Sequence, residues 1–229
     1  MDAVVMAAGE GRRLRPLTEA WPKPVLPIAG RPVIATLLRE LAAAGFEEAT
    51  VVTGHLAEQV ETLLGDGAGF GLRIRYARQP EPLGSADAVR CALEAGARPP
   101  LLVLAADTVF ASGDLSRVVE LSESTTAALG LRPSTDTGKT PLSVLNGLVT
   151  AIGKGEGGLR AAPLWVLDEE IVASLPDLPG PPFELADAVR KAISAGKEIL
   201  AVELGPTRDL TRPEDVMTHN FPYLSKGGK

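Results

Sequence analysis

Histidine and cysteine are nearly missing from this chain, whose 229 residues hold two of the first and one of the second. Cys91, standing alone, excludes an internal disulfide and offers no metal-ligand spacing. His55 and His219 read as structural or surface residues rather than catalytic ones. Aromatic residues make up only 4% of the chain, and none are interleaved with a basic face, so a nucleic-acid partner is not expected. No apolar run approaches the length of a membrane span, and no membrane partner is expected. The first apolar stretch is very short and begins with acidic Asp2, so it is not read as a signal peptide. A cytoplasmic location is the expectation. The length suits one large α/β domain with a substantial core.

Against a net charge of −6 stands one cationic segment, 7–31, in which Arg12, Arg13, Arg15, Lys23 and Arg31 face only Glu10 and Glu19. A concentrated patch of this kind on an acidic protein fits a pocket for one polyanionic small molecule. It follows the apolar run 3–8, too short for a buried helix and suited to the centre of a parallel sheet. Gly9 and Gly11, just after Ala8, permit positive φ and let backbone N–H groups approach an anion. Two familiar phosphate loops are excluded. The dinucleotide fingerprint needs a third glycine where Leu14 stands, and the Gly-Lys-Ser/Thr ending of a P-loop is absent.

Apolar periodicity then predicts alternating elements. A helix is expected over 32–44, with Ile34, Leu37, Leu38 and Leu41 on one stripe. Strand 50–53, helix 56–64, strand 73–77, helix 85–95 and strand 101–105 follow. An Asn146-Gly147 hairpin is expected within 143–150, then a strand over 164–167, a helix over 185–195, a strand over 199–204 and a final helix over 213–219. This pattern argues an α/β fold: a doubly wound, mostly parallel, Rossmann-like sheet with a smaller hairpin and helix subregion. Segments 153–158 and 176–182 read as loops, and 226–229 as a frayed tail. The basic loop and Asp107 both lie at carboxyl ends of strands and should face one crevice.

The motif G-x-G-x-R-L-x-P-L-T from Gly9 and P-K-P-x-L-P-x-x-G-x-P-x-I from Pro22 come first. Q-P-E-P-L-G-S-A-D-A over 79–88, strand-end Asp107 and R-D-L-T-R-P-E-D over 208–215 follow in order. Together they resemble the signature of sugar-1-phosphate nucleotidylyltransferases of the thymidylyl- and uridylyl-transferring kind, here without the hexapeptide repeats of a C-terminal β-helix. The resemblance implies one domain over 1–225, with a nucleotide-binding half over about 1–135 and a sugar-phosphate half over about 136–225. It implies Mg²⁺-dependent condensation of a sugar 1-phosphate with UTP or dTTP, giving an NDP-sugar and pyrophosphate. The nucleophile is already ionised near neutral pH, so no general base is required.

Residue by residue, the resemblance gives Arg13 the β- and γ-phosphates and Lys23 the reacting phosphates. Arg12 and Arg15 are expected to face solvent or serve structure. Ala8, Gly9, Gly11, Gln79, Gly84 and Asp107 are the expected nucleotide contacts, and Asp107 with Asp209 the expected magnesium ligands. Gln79 offers an amide donor and acceptor to a pyrimidine imide edge. Asp215 is expected in the first turn of the last helix. Lys154 is assigned to the sugar phosphate and Glu184 to a sugar hydroxyl. Gly153 stands where many relatives have a sugar-binding glutamate, which opens the acceptor to hexosamine, other hexose or cyclitol phosphates. Trp165 reads as packing. The alternatives are a cytidylyltransferase for a cyclitol or choline phosphate, and a catalytically silent regulator. A homo-oligomer is among the expectations by analogy with relatives.

Overall fold

The computed structural model describes residues 1–122, 127–134, 140–153 and 158–222. Lys154 and the 226–229 tail lie outside the described residues. The apolar run at the start becomes strand β1 (Asp2–Ala7), and Val4 and Val5 on it are both fully buried, pointing to opposite faces. A basic loop leads through helix α1 (Leu17–Ala20) and a small ribbon of β2 (Pro27–Ile28) and β3 (Arg31–Pro32) to helix α2 (Val33–Ala43). The apolar stripe expected on α2 is buried at Ile34, Leu37, Leu38 and Leu41. Next come β4 (Glu48–Thr53), α3 (Ala57–Leu64), β5 (Arg73–Arg78), α4 (Ser85–Glu94) and β6 (Leu101–Ala105). Each agrees with its expected element to within two residues.

Short β7 (Thr108–Val109) and helix α5 (Asp114–Ser122) precede β8 (Ala128–Pro133). The hairpin is β9 (Leu142–Leu145) and β10 (Leu148–Ile152). Its turn residues Asn146 and Gly147 both take positive φ, +51° and +77°, as a two-residue type I′ turn requires. Then follow β11 (Leu159–Leu167), α6 (Glu169–Ala173), α7 (Leu185–Ser194), β12 (Leu200–Glu203), β13 (Arg208–Asp209) and α8 (Pro213–Asn220). Strand β11 starts well before the expected 164, because its first residues pair with β8, an element that periodicity alone does not reveal.

Among the described residues the main sheet runs β5-β4-β1-β6-β11-β8-β12-β10-β9. Strands β5, β4, β1 and β6 are mutually parallel, while β11 and β10 run against the rest. Helices cover both faces. Val4, Val52, Leu101 and Val103 pack with Val89 of α4 and Val189 of α7. Val5, Val51, Leu102 and Leu104 pack with α2, α3 and α5 on the other face. A sheet wound on both sides leaves its carboxyl edge as the place where loops converge. Among the described residues no helix is long and apolar enough to cross a membrane.

Candidate active site

The loop behind β1 is braced by backbone bonds. The His55 N–H donates to the Ala8 carbonyl at 3.1 Å, and the Thr18 hydroxyl to the Gly11 carbonyl at 2.9 Å. The His55 ring Nε2 lies 2.8 Å from the Thr18 carbonyl oxygen, which makes this histidine a brace for the loop. Gly11 has φ +62°, and a Cβ there would meet Thr18 at 2.9 Å. Gly9 takes no positive φ; open space around it is what gives a ligand access to its backbone. Of the three loop arginines, Arg12 and Arg15 are exposed and both bridge to Glu10. The hydrogen bond from Arg12 holds the Glu10 carboxyl below the usual carboxylate range. Arg13 forms no ion pair among the described residues, and its neighbour Leu14 is buried. Its cation is left for an outside partner.

Arg13, Lys23, Gln79, Gly84, Asp107 and Glu184 line one cavity of about 430 Å³, as do Ala8, Gly9 and Gly11. Gln79 is buried, and its amide nitrogen donates to the Gly84 carbonyl at 3.0 Å and to Asp87 at 2.8 Å. Both of those partners are acceptors, so they fix which end of the amide is nitrogen. The donor capacity expected for base reading is thereby spent, and the amide oxygen remains. The Glu184 carboxylate accepts from the Ser85 hydroxyl, and that hydroxyl accepts from the Leu185 N–H, tying the starts of α4 and α7 together. Glu184 thus stands beside the Gly84 turn.

Gly84 has φ +111°, and a Cβ on it would lie 2.3 Å from the Phe183 carbonyl oxygen. That carbonyl already accepts from Ala86, and the Phe183 N–H donates to Leu83, so the neighbour cannot yield. Gly84→Ala is therefore expected to cost roughly 2–4 kcal/mol through strain and clash. That corresponds to a fall in melting temperature of about 5–15 °C in a thermal melt.

Asp107 follows β6 and precedes β7, whose Thr108 pairs with Asp209 on β13. This antiparallel register carries residues a hundred positions apart to the same edge, and both carboxylates line a second, smaller cavity beside the first. Lys23 bonds one Asp107 oxygen, and Thr108 donates to the other at 3.1 Å. Arg132 reaches both Asp209 oxygens at 3.4 Å, and Thr211 donates to one at 3.3 Å. Asp215 sits in the first turn of α8 and accepts from the Thr211 and Arg212 N–H groups, both at 2.7 Å. Among the described residues no three His, Cys, Asp or Glu side chains cluster as a metal cage. Two carboxylates lining one cavity fit Mg²⁺, which takes one or two carboxylates and fills its octahedron from water and phosphate oxygens.

A basic loop, a fixed amide and a paired-carboxylate edge meeting at the carboxyl ends of parallel strands have a counterpart among known proteins. The profile of the family described as nucleotidyl transferase matches residues 2–140, more than half of the chain. The chain belongs to the nucleotidyl transferase family. Its likeness to a low-salt glycan biosynthesis nucleotidyltransferase of Haloferax volcanii is 27% identity over 96% of this chain and 65% of that one. An N-acetylmuramate alpha-1-phosphate uridylyltransferase of Neisseria meningitidis is 46% identical over 84 residues, 37% of this chain and 36% of the relative. The chain thus spans less than two thirds of these curated relatives' length in the matched regions. Other matched nucleotidyl transferases are named for guanylyl and thymidylyl transfer. The structure of a UDP-glucose pyrophosphorylase complexed with UDP-glucose superposes with a TM-score of 0.83 at 20% identity, covering 98% of both chains, which fixes the shared fold.

Every site residue expected from sequence that falls within the described residues lies at one or other of these two adjoining cavities. Two lining residues of the smaller one escaped that reading. Arg132 is buried on β8, an element not anticipated, and its signal was a lone arginine in the apolar run A-L-G-L-R. Trp165 packs on the core as expected, and it also walls the cavity.

Proposed function

We propose that the protein condenses a sugar 1-phosphate with UTP or dTTP to give an NDP-sugar and pyrophosphate. The observation that supports this most is the meeting of unpaired Arg13 with Lys23, Gln79, Gly84 and Asp107 around one cavity. An oxygen of the sugar phosphate attacks the α-phosphorus; a new P–O bond forms as the bond to the bridging oxygen breaks, and its electron pair leaves with pyrophosphate. Repulsion between two anions is the main obstacle, so catalysis here is positioning and charge neutralisation. Arg13 grips the outer phosphates and stabilises the leaving pyrophosphate. Lys23, restrained between Pro22 and Pro24, exchanges its Asp107 partner for the reacting phosphates. Mg²⁺ held by Asp107 and Asp209 supplies further neutralisation when bound. Lys154 is assigned to the sugar phosphate and Glu184 to a sugar hydroxyl.

Base choice follows from the Gln79 amide oxygen. It accepts from the N3–H of uracil or thymine, whereas cytosine presents a lone pair at N3 and is repelled. Gln79→Ala is expected to narrow the preference for UTP over CTP by about ten-fold while lowering maximal rate less, since one hydrogen bond to a base edge is at stake. The uridylyltransferase name of the Neisseria relative agrees with this choice. Pyrophosphate release with UTP, dTTP, CTP and GTP against a panel of sugar phosphates tests the whole reading. Activity with a uracil or thymine nucleotide that a chelator abolishes and Mg²⁺ restores is the expected outcome. Nucleotide binding without turnover on any acceptor would point instead to a silent regulator.

A further inference from the structure

Gln79 is buried yet lines the larger cavity, and which end of its amide opens there is set from behind. A primary amide has two N–H donors, and both are spent. They go to the Gly84 carbonyl at 3.0 Å and to Asp87 Oδ2 at 2.8 Å. The Gly84 carbonyl also accepts from the Ala88 N–H at 3.2 Å, so the start of α4 holds it in place. The amide oxygen accepts no hydrogen bond among the described residues. It is not one of the unpartnered atoms sealed from solvent, so its opening is the cavity that Gln79 lines.

Asp87 lies in the first turn of α4, and its side chain is only 14% exposed. It is not one of the residues lining the cavity, so any effect it has on a ligand passes through Gln79. One of its carboxylate oxygens takes the Gln79 bond; the other faces Arg90, a partly exposed guanidinium, at 3.5 Å. Turning the Gln79 amide end for end would set its oxygen against two acceptors, the Gly84 carbonyl and the Asp87 carboxylate. Both bonds would be lost, and the one to Asp87 is the stronger because it is charge-assisted. A carboxylate only accepts, whereas a carboxamide at the same position donates as well and would hold the turned oxygen. The chemistry at position 87 therefore decides which end of Gln79 a base meets. An oxygen there accepts from an N3–H and repels an N3 lone pair; a nitrogen does the reverse.

We propose that Asp87 is the positioning residue that sets the choice of uracil or thymine over cytosine, by locking the Gln79 amide with its oxygen toward the base. The proposal rests on the nucleotidyl-transfer reading above and on the place it gives Gln79. The test measures dissociation constants for UTP and CTP by titration calorimetry with Mg²⁺, beside kcat/KM for the same pair with one accepted sugar phosphate. Asp87→Asn keeps the shape and supplies a donor. It should cut the UTP-over-CTP ratio by about five-fold or more, chiefly through tighter CTP binding, as a charged bond becomes a neutral one that forms either way round. Asp87→Leu offers neither donor nor acceptor; it should weaken both nucleotides and move the ratio less. In a Gln79→Ala background, Asp87→Asn should leave the ratio unchanged, since no amide remains to be oriented. Loss of structure alone would weaken both nucleotides together in either background. A ratio unmoved by Asp87→Asn overturns the proposal, as does an equal fall with and without Gln79. A parent that binds UTP no better than CTP also overturns it. A parent that binds both and turns over neither overturns the nucleotidyl-transfer reading, while the two dissociation constants still decide the role of Asp87.

Discussion

Asp107→Asn should lower turnover by about a hundred- to a thousand-fold, the range seen when a group stabilising transition-state charge is lost. The replacement keeps the shape of the side chain and an acceptor for the Thr108 hydroxyl, so the end of β6 has no reason to move. What disappears is charge. One of the two carboxylates assigned to magnesium is gone, and Lys23 loses its ion-pair partner. Stability should respond moderately. The Lys23–Asp107 pair is mostly buried, and losing a hydrogen bond to a charged group costs about 1.5–3 kcal/mol. A thermal melt should therefore fall by about 3–12 °C. Pyrophosphate release at saturating Mg²⁺ decides the matter: a kcat near that of the parent would remove Asp107 from the phosphate-neutralising machinery.

Which parts of this site could be read from the chain follows from how local their determinants are. The α2 stripe, the Asn146-Gly147 turn and the first strand each depend on residues a few positions apart, so periodicity and turn chemistry locate them. Arg13, Lys23, Gln79 and Asp107 lie in ordered motifs, and their order along the chain carries the expectation that they meet. The rest depends on partners that sequence spacing does not name. The donor ends of the Gln79 amide are committed to Gly84 and Asp87, and only the folded α4 start reveals that. Arg132 meets Asp209 across 77 residues, because β8 is inserted between β11 and β12. A bulge two residues wide at Pro163 opens the smaller cavity, and a proline in a central strand signals irregularity without saying where the freed space lies. Long-range register is the missing information in each case.

Arg13→Ala is expected to reduce kcat/KM by about a hundred-fold or more, the scale of losing one positioned cation at a departing phosphate. The contrast with its neighbour gives this prediction its force. Arg12 is bonded to Glu10, 71% of its side chain is exposed, and Arg15 reaches the same carboxylate, so the three charges form a small solvent-facing network. Among the described residues Arg13 has no ion-pair partner, and buried Leu14 and the left-handed turn at Gly11 flank it where it lines the cavity. Arg12→Ala should consequently change kcat/KM by about three-fold at most, since surface ion pairs contribute little. Arg13→Lys should recover only part of the loss, because an ammonium restores the charge without the planar fork that spans two phosphate oxygens. Steady-state kinetics on the three variants, with UTP and one accepted sugar phosphate, make the comparison. Equal losses for Arg12→Ala and Arg13→Ala would mean that the loop contributes only a diffuse positive field. In that case the distinction drawn from the Glu10 network would have no bearing on the chemistry.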